Sequence, residues 1–185
     1  DFLAARPWTA SYDSGVPRDL DLPETSLVHM LEKSVARHGA KTAVEFFGAG
    51  MTYAQLGEQV QRAAEGLRIM GVQAGDRVAL VLPNCPQHIV AFYAVLRLGA
   101  IVVEHNPLYT APELRHQFED HGARVVIAWD KIATSITRMP KDLAVEHVVA
   151  VDITESMSTL MRLGLRLPLK KLAEQRRELT QPAPG

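Results

Sequence analysis

The chain has 185 residues, enough for one domain with a substantial core, and its 47% hydrophobic and 22% charged residues are typical of a folded globular protein. Twenty basic and 21 acidic residues leave a formal charge of −1, which argues against nucleic acid as a partner. The single cysteine, Cys85, excludes an internal disulfide and fits a reducing cytoplasm.

Residues 1–24 are predicted to form an extended N-terminal arm on the surface of the domain. Pro7, Gly15, Pro17 and Pro23 interrupt any regular periodicity in this segment. Asp1 is followed by neither the basic flank nor the apolar stretch of a secretory leader.

Residues 25–151 are predicted to form an α/β core subdomain, which starts with two helices around a hairpin. The apolar spacing predicts a helix over residues 27–38, with Ser26 as its cap and Gly39 in the left-handed conformation that closes it. β-Favouring runs at 42–47 and 51–53 flank residues 48–50, which is typical of a hairpin. A second amphipathic helix then ends at Gly71.

Strand and helix alternate from residue 77 onward. Strands are predicted at 77–82, 101–103, 125–128 and 147–151. One helix is predicted to begin at Pro86, and a second to begin at a capping box formed by Thr110 and Glu113 and to end at Gly122. A third helix is predicted over 130–139. This alternation predicts a doubly wound, mainly parallel sheet with helices on both faces, because parallel neighbours need crossover connections. The predicted core strand positions are Val78, Leu80, Ile101, Val103, Val125 and Ile127.

Residues 152–185 are predicted to form a basic helical or irregular tail. Six basic and two acidic residues give the segment 156–181 a net charge of +4. Leucines alternate with these charges, so residues 160–179 are a candidate contact with an acidic membrane surface. The alternative is that the leucines pack against another part of a longer protein, since Pro168 interrupts a continuous amphipathic helix.

The most unusual polar cluster, residues 104–110, follows a buried strand and leads into the capping box. Strand ends are where doubly wound sheets bind ligands, so His105, Asn106, Tyr109 and Thr110 are candidate substrate-binding residues. The alternative is structural: Asn106 and the proline after it make the turn, and Thr110 caps the helix.

Other motifs with a chemical role are not found in the sequence. Gly48 and Gly50 fit a hairpin turn better than a dinucleotide fingerprint, and no glycine-rich phosphate loop ending in lysine occurs. The seven histidines lack the spacings of zinc sites, so no metal ligand is predicted. Cys85 fits a small residue in a turn, and no catalytic residue is assigned. Lys41, Lys131 and Lys141 are interpreted as solvated surface charges.

Several runs resemble the acyl-activating, adenylate-forming enzymes. These runs are 51–56 (MTYAQL), 75–80 (GDRVAL) followed by 82–84 (LPN), and 95–100 (VLRLGA). The arm, with Trp8 and Tyr12, and the run 106–110 (NPLYT) followed by 112–114 (PEL) are similar to the long-chain fatty-acid–CoA ligase branch, as are Gln117 and Asp120. The resemblance covers about residues 8–151.

This resemblance implies an N-terminal piece of an AMP-forming ligase. Such an enzyme converts a fatty acid and ATP, with Mg²⁺, into an acyl-adenylate and transfers the acyl group to coenzyme A. The phosphate loop and the catalytic lysine are then expected downstream, so the chain alone is expected to be inactive and to bind no cofactor. The implied parent is cytoplasmic, a candidate for membrane association and a candidate homo-oligomer. The alternatives are an aryl–CoA ligase, an enzyme that stops at acyl-adenylate, and a non-catalytic flavodoxin-like binding or assembly module.

Overall fold

A computed structural model describes residues 2–181; Asp1 and residues 182–185, at the ends of the predicted arm and tail, lie outside the described residues. The helices are α1 Phe2–Ala5, α2 Leu27–His38, α3 Tyr53–Ile69, α4 Pro86–Arg97, α5 Ala111–His121, α6 Asp130–Thr137, α7 Thr159–Arg166 and α8 Lys170–Leu179. The strands are β1 Thr42–Phe46, β2 Ala49–Thr52, β3 Arg77–Val81, β4 Ile101–Glu104, β5 Val125–Trp129 and β6 His147–Val151. Short 3₁₀ helices occur at Pro7–Ser11 and Ile153–Ser156.

The main sheet is parallel and has the strand order β4-β3-β5-β6. The chain passes from β3 to β4 on one side, then crosses β3 to reach β5 and β6 on the other. This confirms the predicted doubly wound sheet. The predicted hairpin is also present, with β1 and β2 antiparallel. Its turn places Phe47 and Gly48 at positive φ, as a tight hairpin connection requires.

Helices cover both faces of the sheet, because successive residues of a strand point to opposite sides. Val78 and Leu80 of β3 pack with α3 and α4, whereas Ala79 and Val81 pack with α5 and α6. Of the predicted core positions, Val78, Leu80, Val125 and Ile127 are buried and Val103 is half-buried. Ile101 is a correction, since its side chain is 46% exposed. Its strand β4 is at the edge of the four-stranded sheet, where less of each residue is covered.

The two N-terminal helices pack closely at a glycine. A Cβ atom on Gly57 of α3 would lie 3.1 Å from Cγ2 of Val35 of α2. Ser26 caps α2 as predicted, by accepting a hydrogen bond from the His29 N–H at 3.1 Å. Gly39 is a correction, because its φ of −44° is right-handed and the helix closes without a left-handed residue. The arm contains α1 and a 3₁₀ turn in addition to extended backbone.

The basic tail forms a helical hairpin. Helix α7 ends before Pro168 and α8 begins after it, as the proline predicts. In the part of the tail that the structure describes, α8 has no buried residue, and Leu165 is the buried residue of α7.

Candidate functional site

The carboxyl ends of the four parallel strands define one edge of the sheet. Leu82 follows β3, His105 follows β4, Asp130 follows β5 and Asp152 follows β6. The strand order reverses between β3 and β5, because the connections from them run in opposite directions across the sheet. Doubly wound sheets bind their ligands outside the carboxyl ends of the strands at such a reversal, so this edge is the candidate site.

The loop after β4 brings the predicted site residues to this edge. Asn106 forms its turn, since its side-chain Oδ1 accepts a hydrogen bond from the Leu108 N–H at 2.9 Å and its carbonyl accepts one from the Tyr109 N–H at 3.1 Å. Thr110 begins α5, and its N–H and hydroxyl both donate to Glu113 Oε2 at 2.7 Å. Tyr109 is 37% exposed and Leu108 is 80% exposed, so both apolar side chains of the loop are accessible to a ligand.

His105 is part of a continuous chain of hydrogen bonds. Its Nε2 lies 3.0 Å from Nε2 of His121, and its Nδ1 lies 3.0 Å from the carbonyl oxygen of Val103. The Ala123 N–H donates to Nδ1 of His121 at 3.0 Å. That bond requires an unprotonated His121 Nδ1, so in the neutral rings His121 Nε2–H donates to His105, and His105 Nδ1–H donates to Val103. Every ring nitrogen then has a partner.

Both histidines are held neutral by their surroundings. His105 is 7% exposed, and burial lowers its pKa. Burial, followed by the neighbouring His105, lowers the pKa of His121 from the ordinary 6.5 to about 4. The Phe118 ring lies 5.3 Å from the ring of His105 and 5.5 Å from that of His121, which gives the pair an apolar wall. At neutral pH this pair is a structural link between β4 and α5, with no free nitrogen for acid–base chemistry or metal binding.

The start of α4, just after β3, carries the cysteine and one member of a second polar pair. His88 Nε2 lies 2.9 and 3.0 Å from the two carboxylate oxygens of Glu104, which ties the first turn of α4 to the end of β4. Cys85 is buried at the start of α4, and burial raises the pKa of its thiol. The thiol is therefore protonated at neutral pH and a weak nucleophile, in agreement with its interpretation as a turn residue.

The end of β5 contains a buried carboxylate that the sequence did not single out. Asp130 is 4% exposed, and its Oδ2 accepts hydrogen bonds from the Thr180 hydroxyl and from the Gln181 N–H at 3.0 Å. Burial raises the pKa of Asp130, whereas these hydrogen bonds lower it. The carboxylate borders a cleft of about 580 Å³ that Asp152, Arg176 and other residues also line. Nothing local marks Asp130, because its partners are about 50 residues away.

Lys131, interpreted as a surface charge, has a specific partner that the sequence did not predict. Its ammonium donates to the Glu178 carbonyl at 2.8 Å and lies 5.0 Å from the centroid of the Trp129 ring. Over residues 2–181 no group of three or more His, Cys, Asp or Glu side chains could hold a metal ion, so we assign no magnesium ligand to them.

Comparisons with known proteins agree on one family. Residues 31–180 match the family described as AMP-binding enzyme. The chain is 37% identical over 150 residues to a long-chain-fatty-acid–CoA ligase of Bacillus subtilis, across 81% of this chain and 27% of the relative. It is 40% identical over 98 residues to a feruloyl-CoA synthase of an Amycolatopsis species, across 53% of this chain and 20% of the relative.

A solved structure has the same fold. The structure of a long-chain-fatty-acid–CoA ligase from Archaeoglobus fulgidus superposes with a TM-score of 0.68 at 26% identity, across 80% of this chain and 33% of that chain. The present chain thus spans about a quarter to a third of the length of the ligases that it resembles.

Proposed function

Because the chain belongs to the AMP-binding enzyme family, we propose that it is the N-terminal part of a long-chain fatty-acid–CoA ligase. The observation that supports this most strongly is the 37% identity to the Bacillus subtilis ligase across 81% of the chain. The activity, the substrates and the partners of the whole enzyme are parts of the proposal, since the chain spans 27% of that relative.

The proposed reaction has two steps. A carboxylate oxygen of the fatty acid attacks the α-phosphorus of ATP, which forms acyl-AMP and releases pyrophosphate. The thiol of coenzyme A then attacks the acyl carbonyl carbon, loses its proton and displaces AMP. Magnesium accompanies the ATP and offsets phosphate charge, but no residue of this chain is assigned to hold it. The role proposed for this chain is to supply the sheet and part of the acyl-binding surface.

The proposed acyl-binding surface is the loop after β4. Tyr109 is proposed to contact the substrate directly, because its ring is 37% exposed at the candidate edge. Asn106 and Thr110 support it by holding the turn and the start of α5. His105 is proposed to hold the base of the loop in place through its hydrogen bonds to β4 and to His121. Replacing Tyr109 with alanine in the whole ligase should raise KM for the fatty acid, whereas KM for ATP should stay the same.

The 185-residue chain alone should have no ligase activity. Catalysis of adenylation depends on donors aimed at the phosphates, and the sequence contains no glycine-rich loop of that kind. The chain would be incubated with ATP, magnesium, palmitate and coenzyme A, and pyrophosphate and palmitoyl–CoA would be followed by mass spectrometry. Turnover that exceeds the buffer blank and survives repurification would contradict this expectation.

Sequencing the gene beyond the codon for Gly185 would distinguish a ligase from a non-catalytic flavodoxin-like module. A ligase should continue, within a few tens of residues, into a loop rich in Ser, Thr and Gly that ends in lysine. The similarity to a feruloyl-CoA synthase keeps an aryl–CoA ligase as the second candidate. The whole protein would therefore be assayed with palmitate and with ferulate side by side. Faster turnover of ferulate would reject the long-chain assignment, and accumulation of acyl-AMP without a thioester would indicate an enzyme that stops at the adenylate.

The proposal extends to a cytoplasmic enzyme with a peripheral membrane contact. In the described residues no helix is long and apolar enough to cross a bilayer. Support for surface contact comes from the tail, where Leu160 is 81% exposed, Leu163 is 56% exposed and Leu169 is 57% exposed. These leucines lie among the basic residues that give segment 156–181 its charge of +4, so apolar and electrostatic attraction to an anionic bilayer would act together.

Vesicle sedimentation tests the membrane contact. The chain should pellet with phosphatidylglycerol vesicles and stay in solution with phosphatidylcholine vesicles. Leu163→Glu should reduce pelleting, whereas Leu22→Glu, at a 75% exposed leucine of the arm, should not. Equal pelleting with both lipids, or none with either, would contradict the proposed contact with an acidic membrane surface. Light scattering of the whole enzyme would test the proposed homo-oligomer.

A further inference from the structure

The C-terminal end of α8 is attached to the sheet by three consecutive residues. Trp129 Nε1–H donates to the Leu179 carbonyl at 2.8 Å, and the Lys131 ammonium donates to the Glu178 carbonyl at 2.8 Å. Asp130, between them, accepts from the Thr180 hydroxyl and the Gln181 N–H. The last carbonyls of a helix have no partner within the helix, so Trp129 and Lys131 act as a cap supplied from elsewhere in the fold, while Asp130 holds the two residues that follow the helix.

Other attachments of α8 are weak. None of its ten residues is buried. Its polar connection to α7 is a long hydrogen bond of 3.4 Å, which Arg176 donates to the Leu165 carbonyl. A helix shorter than about 12–15 residues is marginal in water without tertiary support. The helical state of α8 therefore depends on the hydrogen bonds that Trp129, Asp130 and Lys131 make with its C-terminal end.

The same helix borders a cleft at the candidate edge of the sheet. Asp130 and Asp152 lie on the strand side of this cleft of about 580 Å³, and Arg176, Arg177 and Thr180 lie on the α8 side. The Asp130 carboxylate is thus held between α8 and the sheet, with its Oδ1 buried.

We infer that α8 is a strap over the carboxyl ends of β5 and β6, and that Trp129, Asp130 and Lys131 form the clasp that holds it closed. When the clasp releases, α8 unfolds locally and uncovers the carboxyl ends of β5 and β6. When it closes, Asp130 fixes the direction in which the chain leaves the sheet at Gln181. This role does not depend on which reaction the whole enzyme catalyses.

Hydrogen–deuterium exchange of the 185-residue chain tests the clasp. In the wild type, the amides of residues 173–181 should be protected. Asp130→Ala removes the acceptor of two hydrogen bonds, so exchange there should accelerate by about tenfold or more, while the amides of β3 keep their protection. Lys131→Met should have the same effect to a lesser degree, because it keeps the aliphatic part of the side chain over Trp129.

Glu178→Gln is the matched control, since Lys131 binds the backbone carbonyl of this residue and not its side chain. It should exchange like the wild type. If Asp130→Ala unfolds the chain, Thr180→Val provides the same test, because it removes the hydroxyl donor alone. Equal exchange of α8 in the control and in the clasp variants, or an unprotected α8 in the wild type, would overturn the inference.

Discussion

The hydrogen-bonded histidine pair makes the stability of the fold depend on pH. The folded-state pKa of His121 is about 4, against an ordinary 6.5 that is appropriate to the unfolded chain. Between these values the unfolded state binds more protons than the folded state, so the free energy of unfolding decreases as pH falls. The contribution of His121 is fully present above pH 6.5 and is lost progressively towards pH 4.

The size of the effect follows from that shift. Below the unfolded-state pKa of 6.5, each pH unit lowers the free energy of unfolding by about 1.4 kcal/mol. Acidification from pH 7 to pH 5 would therefore lower it by about 2 kcal/mol if the shift acted in full. His121 is half-buried, and solvent screening reduces the effect, so we expect about 1 kcal/mol. Burial lowers the pKa of His105 as well, which acts in the same direction.

Urea unfolding at pH 7 and pH 5 measures this change in the free energy of unfolding, for the wild type and for the variant His121→Leu. The variant should be less stable at pH 7, because the Ala123 N–H and Nε2 of His105 lose their partner, yet it should lose less stability on acidification. His116→Leu, at an exposed histidine of the same helix, should keep the wild-type pH dependence. Parallel stability curves for the wild type and His121→Leu would refute the assignment of a neutral, buried pair.

Two packing predictions can be checked by the same unfolding assay. Leu80→Ala should cost about 2–5 kcal/mol, because the side chain has no exposed surface at the centre of the sheet, whereas Ile69→Ala, at a 73% exposed position, should stay within about 0.5 kcal/mol of the wild type. Gly57→Ala should destabilise by about 1 kcal/mol, since the new methyl group would meet Val35 at 3.1 Å, while Gly66→Ala in the same helix meets nothing within 4 Å and should stabilise by up to about 1 kcal/mol. Destabilisation by both alanines, or by neither, would contradict the close packing of α2 and α3.

The candidate site was predicted in part. The sequence located the loop after β4, because a polar cluster between a buried strand and a capping box is a local pattern. It also predicted the turn at Asn106 and the capping box at Thr110, and the structure confirms both. The pairing of His105 with His121 was not predicted, because the two residues are 16 positions apart and meet only after α5 has packed on the sheet. The clasp at Asp130 was not predicted for the same reason, as its partners follow 50 residues later.

For this protein the sequence by itself determined the elements and their class. Alternating apolar runs, Pro86 at the start of α4 and the left-handed Gly122 at the end of α5 specify strands and helices through contacts within a few residues, and alternation of the two implies a parallel sheet. Only the tertiary structure decided the strand order, and therefore that Ile101 lies exposed on an edge strand. Likewise, only the tertiary structure decided that Lys131 caps a distant helix. The physical reason is range: local propensity acts between residues near in the chain, whereas burial, pKa and hydrogen-bond partners depend on residues brought together by the completed fold.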